Sequence, residues 1–190
     1  MRNLKVMMAF RGTNYHGFQR QPNALTVQEV VEGALSKLLN EPVTIYGCSR
    51  TDTGVHAQQF CFSMQTEKPL PPRNFIRGAC GYLPEDICVA EVREASERFH
   101  ARYKAVGKTY CYTCYVGPAK PVFDRKYVLT LDFQPDLAAM QQAAEYLTGE
   151  HDFKSFCANR HMKKSTVRTI YEADVSKNSE DIVTIRLRGS

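Results

Sequence analysis

The clearest structural signal in the sequence is a helix that begins just after Thr26. Glu29 follows Thr26 at the spacing of a capping box, in which each residue can satisfy a free N–H group of the first turn. Apolar residues then recur at helical spacing on one side of the helix. These residues are Val27, Val31, Ala34, Leu35 and Leu38. The sequence therefore predicts a helix with one buried face early in the chain.

Patterns typical of strands surround this helix and continue through the chain. We predict strands at residues 4–10, 43–47, 56–65, 87–92, 108–116, 169–175 and 181–187, and further helices at residues 73–82 and 136–147. This order predicts an α+β fold of two related α/β lobes, residues 1–104 and 105–190. The sheet should be mixed and mainly antiparallel, with helices on one face. One continuous sheet through both lobes is an alternative.

Composition is that of an ordinary water-soluble globule, with seven cysteines and a formal net charge of +5. An odd number of scattered cysteines favours a reducing compartment. The first ten residues lack a signal-type apolar run, and no stretch could span a bilayer, so we expect a cytoplasmic protein without a membrane partner. Cys111 and Cys114 have the spacing of a redox or zinc half-site. On a strand they would face opposite sides, so we interpret them as structural and expect no metal site.

Basic residues form two clusters with aromatic neighbours. Arg93, Arg98, Arg102, Lys104 and Lys108 bracket Phe99, His100 and Tyr103, and Arg160, His161, Lys163, Lys164 and Arg168 form the second cluster. Positive charge interleaved with aromatic rings suits a polyanion whose bases can stack. A solvated charged surface explains the same composition equally well. The clusters therefore permit RNA binding without establishing it.

The segment most suggestive of chemistry is Tyr46-Gly-Cys-Ser-Arg-Thr-Asp-Thr-Gly-Val-His-Ala57, between two predicted strands. Arg50 and Asp52 are two positions apart, so an extended backbone would project them to the same side. A nearby guanidinium keeps a carboxylate ionised, as a nucleophile or a base requires. The alternative is a surface ion pair that caps a turn and contributes at most about 1 kcal/mol.

Asp52-Thr53-Gly54 is also the triplet of aspartic proteases, in which two carboxylates share a proton. Here the polar residues Ser49, Arg50 and Thr51 precede it instead of an apolar strand, and the sequence has no second triplet. An adjacent arginine would also oppose proton sharing. We therefore disfavour a protease.

Residues 50–57, Arg-Thr-Asp-Thr-Gly-Val-His-Ala, resemble the signature of the tRNA pseudouridine synthase A family. Further resemblances to this family follow in order along the chain. They lie at residues 12–21, 26–28, 99–112, 149–156 and 167–170. Because the set is ordered, the chain is identified from sequence as a member of that family.

The resemblance implies two α/β lobes around a basic cleft, usually in a homodimer, acting on uridines 38 to 40 of the tRNA anticodon arm without a cofactor. It implies that Asp52 is the catalytic carboxylate. It also implies that Tyr110 stacks on the target base and is a candidate acceptor for the C5 proton, and that Arg50 assists access to the flipped nucleotide. Arg102, Lys108, Arg160, Lys163 and Lys164 are then expected to bind RNA.

The sequence departs from the family pattern at Arg11, where an acidic residue is usual, and at Thr53, where alanine is usual. The family also continues past Gly189-Ser190 into a segment whose arginine pairs with the catalytic aspartate. Because this chain ends on a predicted strand, we expect it to lack that C-terminal segment. A non-catalytic RNA-binding module, or an inactive fragment of such an enzyme, is therefore the alternative function.

Overall fold

A computed structural model of the chain describes residues 1–157 and 165–190. It divides into two compact units, Met1–Ala105 and Val106–Ser190. The described strands form two separate, largely antiparallel sheets, accompanied by three α-helices. The predicted α+β fold class is confirmed, whereas the alternative of one continuous sheet is wrong. None of the helices in the described ranges has the length and apolar character needed to span a bilayer.

The first unit contains a four-stranded antiparallel sheet in the order β2-β3-β1-β4. Its strands are β1 (Arg2–Phe10), β2 (Ile45–Gly47), β3 (Ala57–Thr66) and β4 (Ile87–Ala95). Successive side chains of a strand point to opposite faces, and β1 buries Leu4, Val6, Met8 and Phe10 on one face. The other face carries more polar and exposed residues, including Lys5.

Two helices, α1 (Val27–Leu39) and α2 (Pro72–Tyr82), cover the apolar face of this sheet. The predicted start of α1 is confirmed, because the Thr26 side chain accepts a hydrogen bond from the Glu29 N–H at 3.4 Å. Asn40 ends α1 in the left-handed conformation, with φ of 50°. The predicted apolar stripe packs into the same core as β1, so the helices lie on one face as expected.

The second unit contains a five-stranded sheet in the order β6-β5-β9-β8-β7 and one helix, α3 (Leu137–Glu145). Its strands are β5 (Lys108–Tyr115), β6 (Leu129–Thr130), β7 (Gly149–Asp152), β8 (Val167–Lys177) and β9 (Ile182–Gly189). Cys114, Val116 and Val183 form its buried cluster, with Met140 of α3 packed against it. Cys111, three residues from Cys114 on β5, is exposed, as expected for side chains on opposite faces of a strand.

Two strands and one helix boundary differ from the sequence prediction. β6 has two residues, too few to show an alternating pattern, and β7 (Gly149–Asp152) has four and lies outside the predicted strands. The predicted helix 136–147 is shorter, because Asp136 is its N-cap and accepts a hydrogen bond from the Ala139 N–H at 3.0 Å. The chain therefore contains more short strands than its periodicity reveals.

Candidate active site

Asp52 lies in the connection between β2 and β3, which we call the Asp52 loop (residues 48–56). The strand pairing continues into its start, where the Cys48 N–H donates to the Cys61 carbonyl at 2.8 Å. A turn closes after Asp52, because the Val55 N–H donates to the Asp52 carbonyl at 3.2 Å. Gly54 has φ of +80°, a conformation that glycine adopts at little cost. The hairpin therefore presents Asp52 just before a tight turn.

A second segment, the N-terminal loop (residues 11–25), holds the Asp52 loop through three hydrogen bonds. The Phe18 N–H donates to the Thr51 carbonyl at 3.2 Å, and the Gly54 N–H donates to the Tyr15 carbonyl at 3.2 Å. The Gly12 N–H donates to His56 Nδ1 at 3.0 Å. These bonds lie on both sides of Asp52 in the chain, so the backbone that carries the carboxylate is fixed by a different part of the sequence.

Glycine is required where the two loops touch. A Cβ atom on Gly12 would lie 2.0 Å from the Val55 carbonyl oxygen, and one on Gly17 would lie 2.3 Å from the Thr51 carbonyl oxygen. Gly17 also has φ of +81°, which other residues rarely adopt. Backbone therefore packs directly against backbone at two points of the contact.

The N-terminal loop is itself anchored by the turn before β4. The Asp86 carbonyl accepts a hydrogen bond from the Arg11 N–H at 2.8 Å, and the Asp86 carboxylate accepts one from the Tyr15 hydroxyl at 2.6 Å. Burial, together with this hydrogen bond, raises the pKa of Tyr15 well above its usual range. Tyr15 therefore stays protonated as a donor at neutral pH, and the loop position does not depend on its titration.

The side chains of Arg50 and Asp52 are both exposed, whereas the hydroxyl oxygen of Thr51 between them is buried. This alternation is typical of extended backbone and agrees with the expected projection of Arg50 and Asp52 to one side. Within the part of the chain that the structure describes, no ion pair joins them. The alternative interpretation as a surface ion pair is therefore wrong, and the Asp52 carboxylate is open to a ligand.

Tyr110 lies on β5 in the second unit, whereas Arg50 and Asp52 lie in the first. It is paired across the strands with Leu187 of β9, and its side chain is 50% exposed. Tyr112, two residues further along the same face, is also exposed. Tyr110 is therefore not a buried core tyrosine, and its ring is accessible.

The predicted RNA-binding residues Arg102 and Lys108 are exposed. Arg160, Lys163 and Lys164 lie outside the described residues. The sequence analysis missed one grouping, because Tyr46 of β2 joins His100 and Tyr103 in a row of neighbouring rings. Tyr46 is paired with Ser63, whose hydroxyl accepts a hydrogen bond from the Ala101 N–H, so tertiary contacts bring together residues more than fifty positions apart and local patterns carry no signal for them.

Comparison with known proteins gives consistent matches. The family model described as tRNA pseudouridine synthase matches residues 6–104 and 143–190. The tRNA pseudouridine synthase A of Ruminiclostridium cellulolyticum is 42% identical over 190 residues, which cover 100% of this chain and 78% of that protein. The tRNA pseudouridine synthase A 2 of Clostridium perfringens is 40% identical over 182 residues, covering 96% of this chain and 75% of that protein.

A third relative gives a similar result. The tRNA pseudouridine synthase A of Geobacter sulfurreducens is 40% identical over 190 residues, again covering 100% of this chain and 78% of that protein. The matches extend through both units, including the N-terminal loop and the Asp52 loop that it holds. The chain therefore belongs to the tRNA pseudouridine synthase A family, whose members are isomerases that act on uridine in tRNA.

Proposed function

We propose that this chain converts uridine to pseudouridine at positions 38 to 40 of the tRNA anticodon stem-loop, with Asp52 as the nucleophile. The observation that carries the proposal is the exposed Asp52 carboxylate on a loop held by backbone contacts on both sides. A reacting group fixed in position avoids much of the entropic cost of an encounter in solution. Membership of the tRNA pseudouridine synthase A family supports the choice of reaction.

The chemistry needs only a nucleophile and proton transfer, because substrate and product are isomers. The Asp52 carboxylate adds to the ribose C1′, with elimination, or to C6 of uracil. The N1–C1′ bond breaks, the base rotates, and a C5–C1′ bond forms. The bond between the Asp52 oxygen and the substrate is broken again, so the carboxylate is regenerated. The proton on C5 leaves, and N1 gains one. Since no electrons or groups enter from outside, we propose a cofactor-free reaction.

Access to the target requires that the nucleotide leave its helix, at a cost of a few kcal/mol in stacking and pairing. We assign Arg50 to the flipped nucleotide, because its side chain is exposed and it lies two positions before Asp52 in the same loop. We assign Arg102 and Lys108 to RNA phosphates on the basis of their exposure and charge. We also assign Arg160, Lys163 and Lys164 to RNA phosphates, on the basis of the sequence pattern alone.

The assembly that we propose follows the family resemblance. It consists of a catalytic lobe at residues 1–104 and a second lobe at residues 105–190, and it binds the tRNA anticodon arm. Two copies form a homodimer, and the enzyme works in the cytoplasm. Tyr110 belongs to the second lobe and supplies the ring that stacks on the target base.

Tyr110 has two proposed roles that substitutions separate. We expect Tyr110→Phe to bind tRNA normally but to lower the single-turnover rate about 100-fold, if its hydroxyl accepts the C5 proton. Tyr110→Ala should in addition weaken tRNA binding about tenfold, because a base–aromatic stack is lost. Tyr112→Phe is the matched control, since Tyr112 is exposed on the same face of β5. A fully active Tyr110→Phe would restrict Tyr110 to stacking.

Release of tritium from tRNA labelled at C5 of uridine tests the proposed function. We expect this chain to release the label, and chemical mapping to place pseudouridine at positions 38 to 40. A tRNA with cytidine at those positions is the matched control and should release none. If the chain binds tRNA but releases no tritium, the alternative of an RNA-binding module without catalysis is correct.

A further inference from the structure

Three rings form a ladder on the sheet face that the helices leave uncovered. The ring centroids of Tyr46 and His100 are 5.3 Å apart, and those of His100 and Tyr103 are 4.4 Å apart. Tyr46 is paired with Ser63, Ser63 with Lys5, and Lys5 with Arg93, so one row crosses the whole sheet. The ladder therefore lies at one end of a row of cross-strand pairs that also includes Lys5 and Arg93.

The segment that carries His100 and Tyr103 is fixed to this face by buried polar groups. The Asn3 side-chain amide donates to the carbonyls of Ser96 at 2.7 Å and Phe99 at 2.9 Å. The Ala101 N–H donates to the hydroxyl of Ser63 at 3.2 Å, and Asn3, Ser63 and Ala101 are all buried. The rings are thus held on a rigid base, and a ligand would meet a surface already in place.

Tyr46 and Tyr103 of the ladder are not buried, so packing in the core does not explain their positions. Tyr103 is 78% exposed, and Tyr46 is 51% exposed. The side chains of Arg98, Arg102 and Lys104 around Tyr103 are exposed, and none takes part in an ion pair with another described residue. An exposed ring surrounded by unpaired cations is the combination that binds single-stranded nucleic acid, because bases stack while phosphates are neutralised.

The ladder also lies close in the fold to the Asp52 loop. Tyr46 is two residues before Cys48, the first residue of that loop. Asp52 itself lies six residues after Tyr46, so at about 3.3 Å per residue the chain between them spans at most about 20 Å. A base close in the RNA to the nucleotide at Asp52 could therefore reach the ladder.

We propose that the Tyr46–His100–Tyr103 ladder stacks an unpaired base of the RNA that neighbours the nucleotide presented to Asp52. This inference rests on the proposed function for the identity of the RNA. The occupant is a nucleobase, because the rings offer flat apolar faces, and the cations around them match the phosphates on either side. Beyond the ladder on the same face lies a groove of about 400 Å³, which is lined by Lys5, Glu91 and Arg93 among others, and Arg93 forms an ion pair with Glu91 there.

The test uses the full chain with an anticodon stem-loop hairpin that carries 2-aminopurine at one unpaired position at a time. Binding should quench this fluorescent base at a position beside the target, because stacking on an aromatic ring quenches it. We expect Tyr103→Ala to abolish the quenching at that position and to weaken binding at least fivefold. Tyr103→Phe should restore both. Tyr82→Ala, which removes an exposed ring from α2, is the matched control and should change neither.

Each other outcome overturns the proposal. If Tyr103→Ala binds normally, or weakens binding without changing the quenching, the ring does not stack a base. If Tyr103→Phe fails to restore the signal, the hydroxyl and not the ring makes the contact. Because the readout is binding, it is independent of catalysis. If the chain releases tritium but Tyr103→Ala leaves quenching and binding unchanged, the ladder proposal is wrong and the proposed function stands. If the expected changes in quenching occur but the chain releases no tritium, the ladder proposal stands and the proposed function is wrong.

Discussion

Asp52→Asn is expected to abolish pseudouridine formation while tRNA binding and folding are unchanged. Asparagine keeps the shape of the side chain but is a far weaker nucleophile than a carboxylate. Removal of a catalytic group of this kind typically lowers the rate roughly 10⁴-fold or more. The Asp52 carboxylate is exposed and makes no hydrogen bond or ion pair with the other described residues, so the free energy of unfolding should change by less than about 0.5 kcal/mol.

Single-turnover tritium release and equilibrium binding of tRNA, measured on the same preparations, check this result. Glu67→Gln is the matched control, because it removes another exposed carboxylate of the first unit that follows β3 and lies outside both loops. It should leave release and binding as they are in the unmodified chain. If the Asp52→Asn variant still modifies the anticodon arm at a normal rate, Asp52 is not the nucleophile. If the variant loses tRNA affinity but not the single-turnover rate, Asp52 contacts the RNA without taking part in the reaction.

Much of the first unit was predictable because its signals are local. Thr26 and Glu29 mark the start of α1, and the buried stripe of that helix follows from its 3.6-residue period. The strands β2 and β3 were both predicted, and they enclose the segment that carries Asp52. The position of the candidate carboxylate between two strands could therefore be read from the sequence.

The support of the Asp52 loop could not be predicted in the same way. It is held by backbone groups of residues 11–18, and backbone groups leave no pattern of side chains in the sequence. The close contacts at Gly12 and Gly17 could not be predicted, because close approach of two segments is a property of the folded chain. The ladder could not be predicted for a related reason, since strand pairing together with the hydrogen bonds of Asn3 and Ser63 to the segment of His100 brings that ring to Tyr46.

Substitutions of the two contact glycines are expected to have the next largest effect. In Gly12→Ala the new methyl group would lie 2.0 Å from the Val55 carbonyl oxygen, so the loops must separate. Gly17→Ala adds the strain of a positive φ, about 1–2 kcal/mol, to a contact of 2.3 Å with the Thr51 carbonyl oxygen. Overpacking of this kind typically costs about 1–3 kcal/mol. We therefore expect Gly17→Ala to lower the free energy of unfolding by roughly 2–5 kcal/mol.

The effect on catalysis should exceed the effect on stability. A displacement of about 1 Å at a reacting group can cost about 100-fold in rate, and the Thr51 carbonyl belongs to the residue before Asp52. Both glycine variants should therefore lose more than about 100-fold in single-turnover rate, measured where urea unfolding shows the protein to be folded. Their tRNA affinity should fall much less, because the exposed basic side chains are not displaced.

Two further glycines distinguish the effect of backbone strain from that of a steric clash between the two loops. Gly54 has φ of +80° but open space around its Cα, so Gly54→Ala should lose only the conformational strain of about 1–2 kcal/mol. Gly33 lies in α1 with nothing near a new methyl group, and Gly33→Ala should stabilise the helix by about 0.5–1 kcal/mol and leave the rate unchanged. If Gly12→Ala and Gly17→Ala keep the rate of Gly33→Ala, contact between the loops does not position Asp52. If the rate falls in Gly12→Ala and Gly17→Ala but not in Gly54→Ala, the N-terminal loop is the element that positions the Asp52 carboxylate.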